Sequence, residues 1–330
     1  MSTTSTGETH RRRPRVKHRR RRAVAALALA MTMALTSATA AVQFGAPWQM
    51  GAGDRNHVFV GDGGYQRYQV HVPPRHDGAS ALPVVMAIHG CGMTGFGWNS
   101  MKATTQFNRL ADREGFIVVY PTQRLLRSAV NCWNSTEPRE QHRGSGEPAL
   151  LAGVARQVVE DYGADPRRVH VVGASSGAGA AVILAATYPD VFATVTSVAG
   201  GEYGLNQVRP DDPGATPPEY TARQAWVPPL VANRLVAHWT AVHDLVDDGL
   251  LNDSLAVAEE THHVPAASGG HAYTRTTRTA AGGAMVIESY LVDGMGHAWP
   301  GPFGSGMFTD EAGPDASALA WDFASRYALS

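Results

Sequence analysis

Hydrophobic and polar positions follow two periods along this chain, and together they predict alternating strands and helices. Residues 83–88 and 116–120 are uninterrupted apolar runs, which are typical of strands buried on both faces of a sheet. Residues 68–72 alternate between apolar and polar side chains, as a half-exposed strand does. Two further runs rich in β-branched residues, 169–172 and 191–198, predict the next strands along the chain.

Longer stretches with apolar residues on one helical face predict helices between and after those strands. The predicted helices cover residues 98–114, 147–162, 233–250 and 315–327. This alternation predicts an α/β fold with a mostly parallel sheet that helices cover on both faces. Residues 269–290 predict a hairpin, and residues 287–292 are the last predicted strand. Residues 202–229 contain six prolines and predict no strand.

The first forty residues have the pattern of a secretory signal peptide. Residues 11–22 are strongly basic, residues 23–35 are apolar except for Thr32, and Ala38-Thr39-Ala40 provides a small-residue cleavage site. A basic nucleic-acid-binding arm would leave the apolar run unexplained. We therefore expect residues 1–40 to be a signal peptide, residues 41–330 to be a single catalytic domain, and the protein to be secreted.

Removing that segment changes the charge of the protein. It holds nine of the 28 Lys and Arg residues and one of the 29 Asp and Glu residues, which leaves 19 basic and 28 acidic residues. Such an acidic chain is a poor partner for nucleic acid or an anionic membrane. The two cysteines, Cys91 and Cys132, favour a disulfide in an exported protein, and their spacing makes a poor zinc site.

The strongest chemical motif is Gly173-x-Ser175-x-Gly177, which follows a predicted strand and precedes an alanine-rich run. In this context the motif indicates a serine nucleophile on a sharp turn between a strand and a helix. Only residues without bulky side chains fit beside such a turn, which explains Gly173 and Gly177. The alternative is a glycine-rich turn that carries an idle serine.

A serine hydroxyl needs a base, and His297 is the best candidate because it lies on a glycine-flanked loop after the last predicted strand. The oxyanion needs two N–H donors. We expect these to be the backbone N–H groups of Ser176 and Cys91. A disulfide from Cys91 to Cys132 would then preorganise one donor, and its reduction should lower turnover more than it loosens the fold.

Several motifs in order resemble the secreted polyhydroxybutyrate depolymerase-type esterases, which have the α/β-hydrolase fold and are related to feruloyl and acetylxylan esterases. The motifs are His89-Gly90-Cys91, Asn131-Cys132-Trp133-Asn134, Arg143-Gly144-x-Gly146, Asp165-Pro166-Arg167-Arg168-Val169, Gly173-x-Ser175-x-Gly177, Gly294-Met295-Gly296-His297-Ala298-Trp299 and Gly313-Pro314-Asp315-Ala316-Ser317. The resemblance implies catalytic Ser175 and His297, a Cys91–Cys132 bridge, and ester hydrolysis through an acyl-enzyme without metal or organic cofactor.

The resemblance fails at the third catalytic residue. The family carries its acid on a strand before a Val-Pro-Pro turn, whereas here Gln224-Ala225-Trp226 directly precedes Val227-Pro228-Pro229. The sheet is therefore expected to be one strand short before its final strand. Glu202 is the candidate substitute acid, because it follows the strand at 191–198. Weaker alternatives are Asp211 and Asp212, and the cluster of Asp244, Asp247 and Asp248 fits a solvated face better than a calcium site.

The sequence thus predicts a secreted serine esterase that acts on short polyhydroxyalkanoate oligomers or related esters. Because no linker to a polymer-binding module follows, we expect soluble esters to be preferred over crystalline polyester. A feruloyl or acetylxylan esterase is the second enzyme reading. The competing class is a catalytically impaired homologue that lacks the acid and acts as a binding protein or has no function.

Overall fold

The computed structural model describes residues 51–74, 76–201, 203, 229–254 and 257–330. The predicted signal peptide and most of the proline-rich segment, including Glu202, Asp211 and Asp212, lie outside these residues. The strands are β1 Asp54–Gly61, β2 Gly64–His71, β3 Val84–Ile88, β4 Ile117–Thr122, β5 Val169–Ala174, β6 Thr194–Val198, β7 Ala258–Val264, β8 Tyr273–Thr279, β9 Met285–Val292, β10 Trp299–Pro300 and β11 Thr309–Asp310. The helices are α1 Met101–Thr105, α2 Phe107–Glu114, α3 Gly146–Tyr162, α4 Ser176–Thr187, α5 Pro229–Asp248 and α6 Ala316–Ala324.

The main sheet has six strands in the order β1-β2-β4-β3-β5-β6. Four neighbouring strands of this sheet, β4, β3, β5 and β6, are parallel to one another, as the alternation of strands and helices predicts. Strands β1 and β2 form an antiparallel hairpin that extends this parallel core at one edge. Strands β3, β5 and β6 therefore end at the same edge of the sheet, where their following loops meet.

Helices cover both faces of this sheet, which explains the continuous apolar runs of the central strands. On β3, Met86 and Ile88 pack in one core cluster with residues of α3 and α4. The intervening residues, Val85 and Ala87, pack in a second cluster with residues of α1, α2 and α6. Because successive side chains of a strand point to opposite faces, a strand between two helical layers is buried on both faces and is mainly apolar at every position.

The single helix predicted at 98–114 is instead two helices, and that prediction was wrong. The chain turns at Gln106, which has a left-handed backbone conformation with φ 53° and ψ 28°. The side chain of Ser100 accepts a hydrogen bond from the N–H of Ala103, so α1 starts at Met101, three residues later than predicted. This local capping cannot be read from apolar spacing.

The last predicted strand lies in β9 and does not extend the main sheet. It belongs to a separate antiparallel sheet of three strands in the order β7-β8-β9, so the predicted hairpin is confirmed as β8 and β9. Within the described residues the main sheet ends at β6. Among the described residues, no strand follows β6 in the main sheet, at the position where the sequence predicts a missing strand. None of the described helices has the length and hydropathy of a membrane span.

Candidate active site

The backbone at Ser175 forms a sharp turn between β5 and α4. Ser175 has φ 54° and ψ −119°, a conformation that residues other than glycine rarely adopt. Its N–H donates to the carbonyl of Val198 on β6 at 2.9 Å, which fixes the turn against the neighbouring strand. This geometry lifts the serine side chain off the end of the strand, as the motif predicts.

Close backbone packing explains the two glycines of the motif. A Cβ on Gly173 would lie 2.1 Å from the carbonyl oxygen of Gly177, and a Cβ on Gly177 would lie 2.3 Å from that of Ile88. The prediction that only residues without bulky side chains fit at these positions is confirmed. The turn therefore packs directly against the end of β3, where the predicted oxyanion loop begins.

The loop after β3 lies against the nucleophile. A Cβ on Gly90 would be 3.2 Å from the Cβ of Ser175, so this loop passes close enough to the serine that a side chain at Gly90 would crowd it. Cys91 follows, and it forms a disulfide with Cys132, as the resemblance implied. The N–H of Ser176 begins α4, where the first N–H groups of a helix have no intrahelical acceptor. Cys91 and Ser176, whose N–H groups are the predicted oxyanion donors, thus belong to the two segments that lie next to Ser175.

The fully buried side chain of His89 holds this loop in place. Its Nδ1 lies 2.8 Å from the carbonyl of Gly90, and its Nε2 accepts the backbone N–H of Gln123 at 3.0 Å. This pattern requires the neutral imidazole with the proton on Nδ1. Burial lowers the pKa of His89 to about 4, so the loop keeps this arrangement at neutral pH.

Ser175, His297 and Cys91 line one cleft. The rest of the lining is largely apolar and comes from Gly90, Met93, Thr104, Ala174, Val198, Ala199, Ala298, Trp299 and Phe308. His297 is half-buried on the loop between β9 and β10, and burial lowers its pKa. A neutral imidazole at pH 7 is the form that a general base requires.

The acidic residues at the end of α5, Asp244, Asp247 and Asp248, do not line this cleft. The carboxylate of Asp244 accepts the backbone N–H groups of Asn252 and Asp253 at 2.8 and 3.0 Å. Asp248 accepts the N–H of Leu250 and the amide of Asn252. These carboxylates thus cap the turn that follows α5. In the part of the chain that the structure describes, no three His, Cys, Asp or Glu side chains are placed to hold a metal ion.

Trp133 and Trp299, which belong to two of the motifs, are almost fully buried. Trp299 borders the cleft, but its indole Nε1 donates to Ser317 Oγ at 3.2 Å and its ring packs on Phe107. Trp133 packs against His89, with ring centroids 5.3 Å apart. Trp299 therefore supplies a wall of the cleft, and Trp133 supports the loop behind it. Thr104 on α1 and Phe308 on the loop before β11 also line the cleft, and no motif in the sequence marks either residue.

The fold class follows from this architecture and from comparison with solved structures. An acetyl xylan esterase from Aspergillus awamori matches with a TM-score of 0.55, covering 74% of this chain and 93% of that chain at 21% identity. The protein has the α/β-hydrolase fold, with the serine turn after a central strand and the histidine loop after a late one. The model of the family described as Esterase PHB depolymerase matches residues 66–208, in agreement with the resemblance drawn from the motifs.

Curated relatives match at moderate identity. Poly(3-hydroxyalkanoate) depolymerase C from Paucimonas lemoignei is 28% identical over 253 residues, which is 68% of this chain and 56% of that protein. Acetylxylan esterase A from Aspergillus ficuum is 36% identical over 127 residues, 38% of this chain and 40% of that protein. The chain thus spans about half the length of the curated relatives it matches.

Proposed function

We propose that this chain is a secreted serine esterase that hydrolyses carboxylic esters through an acyl-enzyme. The observation that carries the proposal is the shared cleft, in which Ser175 stands on a strained turn beside Cys91 and His297. The disulfide supports an extracellular location, because such bonds persist in oxidising compartments. In this account residues 1–40 are the signal peptide and residues 41–330 are the catalytic domain.

The reaction uses groups of the chain and water. The hydroxyl of Ser175 attacks the ester carbonyl while His297 takes its proton, and the N–H groups of Cys91 and Ser176 stabilise the oxyanion. The alcohol leaves with the proton from His297, and Ser175 keeps the acyl group. His297 then accepts a proton from water, which attacks the acyl-enzyme, and the carboxylic acid leaves as the serine hydroxyl is restored.

Glu202 remains our candidate for the acid that orients His297. It comes shortly after β6, and the end of β6 borders the cleft through Val198 and Ala199. A carboxylate there would fix the imidazole tautomer and stabilise the imidazolium that forms during the reaction.

The apolar lining of the cleft favours an aliphatic acyl group. Met93, Val198 and Phe308 offer no charged partner to a substrate. We therefore propose short hydroxyalkanoate oligomers or related aliphatic esters as substrates, with acetyl or feruloyl esters of sugars as the second candidate, which the names of the acetylxylan esterase relatives suggest.

A substrate panel on the mature protein tests this proposal. We expect hydrolysis of p-nitrophenyl butyrate with a burst of p-nitrophenol, and release of acid from hydroxybutyrate trimers at a higher kcat/KM than from a feruloyl ester. S175A should be inactive in every assay. An absence of hydrolysis and of any burst would instead favour the impaired homologue.

A further inference from the structure

A buried carboxylate lies behind the proposed active site. Glu147 is the second residue of α3, and only 4% of its surface is exposed. A glutamate in the first turn of a helix usually points to water, where it complements the helix dipole. Burying a charged carboxylate costs free energy unless hydrogen bonds and a cation compensate it. The hydrogen-bond partners of Glu147 therefore indicate which part of the chain its carboxylate stabilises.

Three hydrogen bonds converge on this carboxylate from another part of the chain. The backbone N–H of Asn134 donates to Oε2 at 2.9 Å, and the side-chain amides of Asn134 and Gln123 donate to Oε1 at 2.6 Å each. The guanidinium of Arg127 lies 3.7 Å away. Burial raises the pKa of Glu147, while the hydrogen bonds favour its charged form. Only a carboxylate offers these donors two acceptor oxygens.

The segment held by Glu147 contacts both residues of the proposed oxyanion hole. Cys132 is bonded to Cys91 through the disulfide, and the N–H of Trp133 donates to Ser176 Oγ at 3.3 Å. Gln123, which donates to Glu147, also donates from the same Nε2 to the carbonyl of Cys132 at 3.2 Å. Residues 132–134 thus connect the carboxylate of Glu147 to Cys91 and Ser176, the two residues whose N–H groups are proposed as oxyanion donors.

We propose that Glu147 is a positioning residue for the oxyanion hole, which it acts on by holding residues 132–134 against Cys91 and Ser176. The inference rests on the proposed function, because it assumes that these two N–H groups stabilise an oxyanion. Glu147 touches no substrate. It fixes the distance between two donors that come from different loops.

Glu140 provides a matched control for this test. It is also buried, its Oε1 accepts from the same Arg127 at 2.8 Å, and its Oε2 accepts the N–H of Glu147 at 2.7 Å. Its described hydrogen bonds do not reach residues 132–134. E140Q therefore removes a buried charge beside the same cation without removing an acceptor from the segment.

The experiment compares E147Q and E140Q with the wild-type mature protein. We expect kcat of E147Q for p-nitrophenyl butyrate to fall about 10- to 100-fold with KM nearly unchanged, because displaced donors weaken transition-state stabilisation and not substrate binding. E140Q should keep kcat within about threefold, a difference of under 1 kcal/mol. Reduction of the Cys91–Cys132 disulfide by dithiothreitol should be several-fold faster in E147Q than in E140Q.

The disulfide readout separates this inference from the proposed function. If the wild-type protein hydrolyses no ester, the proposed function fails, and the reduction rates still test whether Glu147 holds the segment. Equal kcat values for E147Q and E140Q in an active enzyme would overturn the inference. Should E147Q fail to fold, N134A removes the Asn134 amide alone. It should lower kcat at unchanged KM, and wild-type kcat in N134A would count against the proposal.

Discussion

Ser175 shows how single residues set the geometry of the site. Its strained backbone is stable because Gly173 and Gly177 allow β5, α4 and the end of β3 to approach at backbone contact distance. The motif made this predictable, since the spacing of two glycines around a serine already encodes the turn. The same is true of His297, which follows a late strand on a glycine-flanked loop.

Glu147 was not predictable as part of the site. In the sequence it is an ordinary glutamate near the start of a helix, and its burial depends on a loop that returns to it from residues 123–134. His89 was visible as part of the His-Gly-Cys motif, but its bonds to Gly90 and Gln123 join two strand ends that only the fold brings together.

Substitution of Gly177 tests the close packing of the turn. In G177A the new methyl group would lie 2.3 and 2.4 Å from the carbonyl oxygens of Ile88 and His89, which are backbone atoms and cannot rotate away. We expect a loss of about 1–3 kcal/mol in the free energy of unfolding, measured in denaturant. The control is G282A, because nothing lies within 4 Å of a Cβ at Gly282. Equal stability of the two variants would contradict the packing.

Substitution of Glu202 tests the proposed acid. Burial alone lowers the pKa of His297, and a neighbouring carboxylate would raise it. Activity requires neutral His297, so it is present above this pKa and lost as the pH falls through it. In E202Q we therefore expect the acidic limb of the kcat/KM profile to move to lower pH, and kcat to fall by up to about 10⁴-fold. Identical profiles for E202Q and wild type would exclude Glu202 as the acid.

At the scale of elements, the central sheet and its flanking helices follow from the apolar runs. The predicted and observed elements differ where local capping or a polar composition removes the apolar pattern on which the prediction depends. Helix α1 ends at Thr105 because the next residue, Gln106, has a left-handed backbone conformation. Strand β7 was not predicted because its residues are mainly exposed and polar. Of the hairpin formed by β1 and β2, only β2 was predicted. Strand β1 lies at the edge of the sheet and has exposed positions on both faces.

The disulfide joins two elements of the site, and its removal tests their coupling. Cys132 is also held by Ser128 and Gln123, so cleavage of the bond frees mainly the Cys91 loop. We expect reduction to lower kcat by at least about tenfold, because a misplaced donor weakens oxyanion stabilisation. Far-UV circular dichroism at the same temperature should stay unchanged. A parallel loss of both signals would mean that the bond stabilises the fold and not the site.

At the scale of the whole molecule, the residues of the cleft come from two separate sheets and not from one continuous sheet. Val198 at the end of β6 and Ala199 just after it line the cleft. The loop after β9 contributes His297 and Ala298 to the lining of the same cleft. Helix α6 connects the two sheets. It packs near β6, and Tyr327, which follows the helix, donates a hydrogen bond to the carbonyl of Met285 on β9. The histidine is thus positioned without hydrogen bonds between β6 and β9 in the described residues.

Buried neutral histidines predict the pH dependence of stability. Burial lowers the pKa of both His89 and His170 to about 4 from 6.5. Between these values the unfolded chain binds more protons than the folded protein, so the free energy of unfolding falls as the pH is lowered from 6.5 to 4. Each histidine contributes up to about 3 kcal/mol to this loss. In H170Q the loss measured by urea unfolding should be smaller by up to that amount, and an unchanged loss would refute the assignment.

The most direct test of the account is covalent labelling of the mature protein with a p-nitrophenyl alkylphosphonate, read by intact mass and peptide mapping. The account predicts one adduct per chain, on Ser175, and labelling at least about 100-fold slower in H297A because the general base is gone. No adduct, or an adduct on another residue at the wild-type rate, would contradict a serine activated by this histidine.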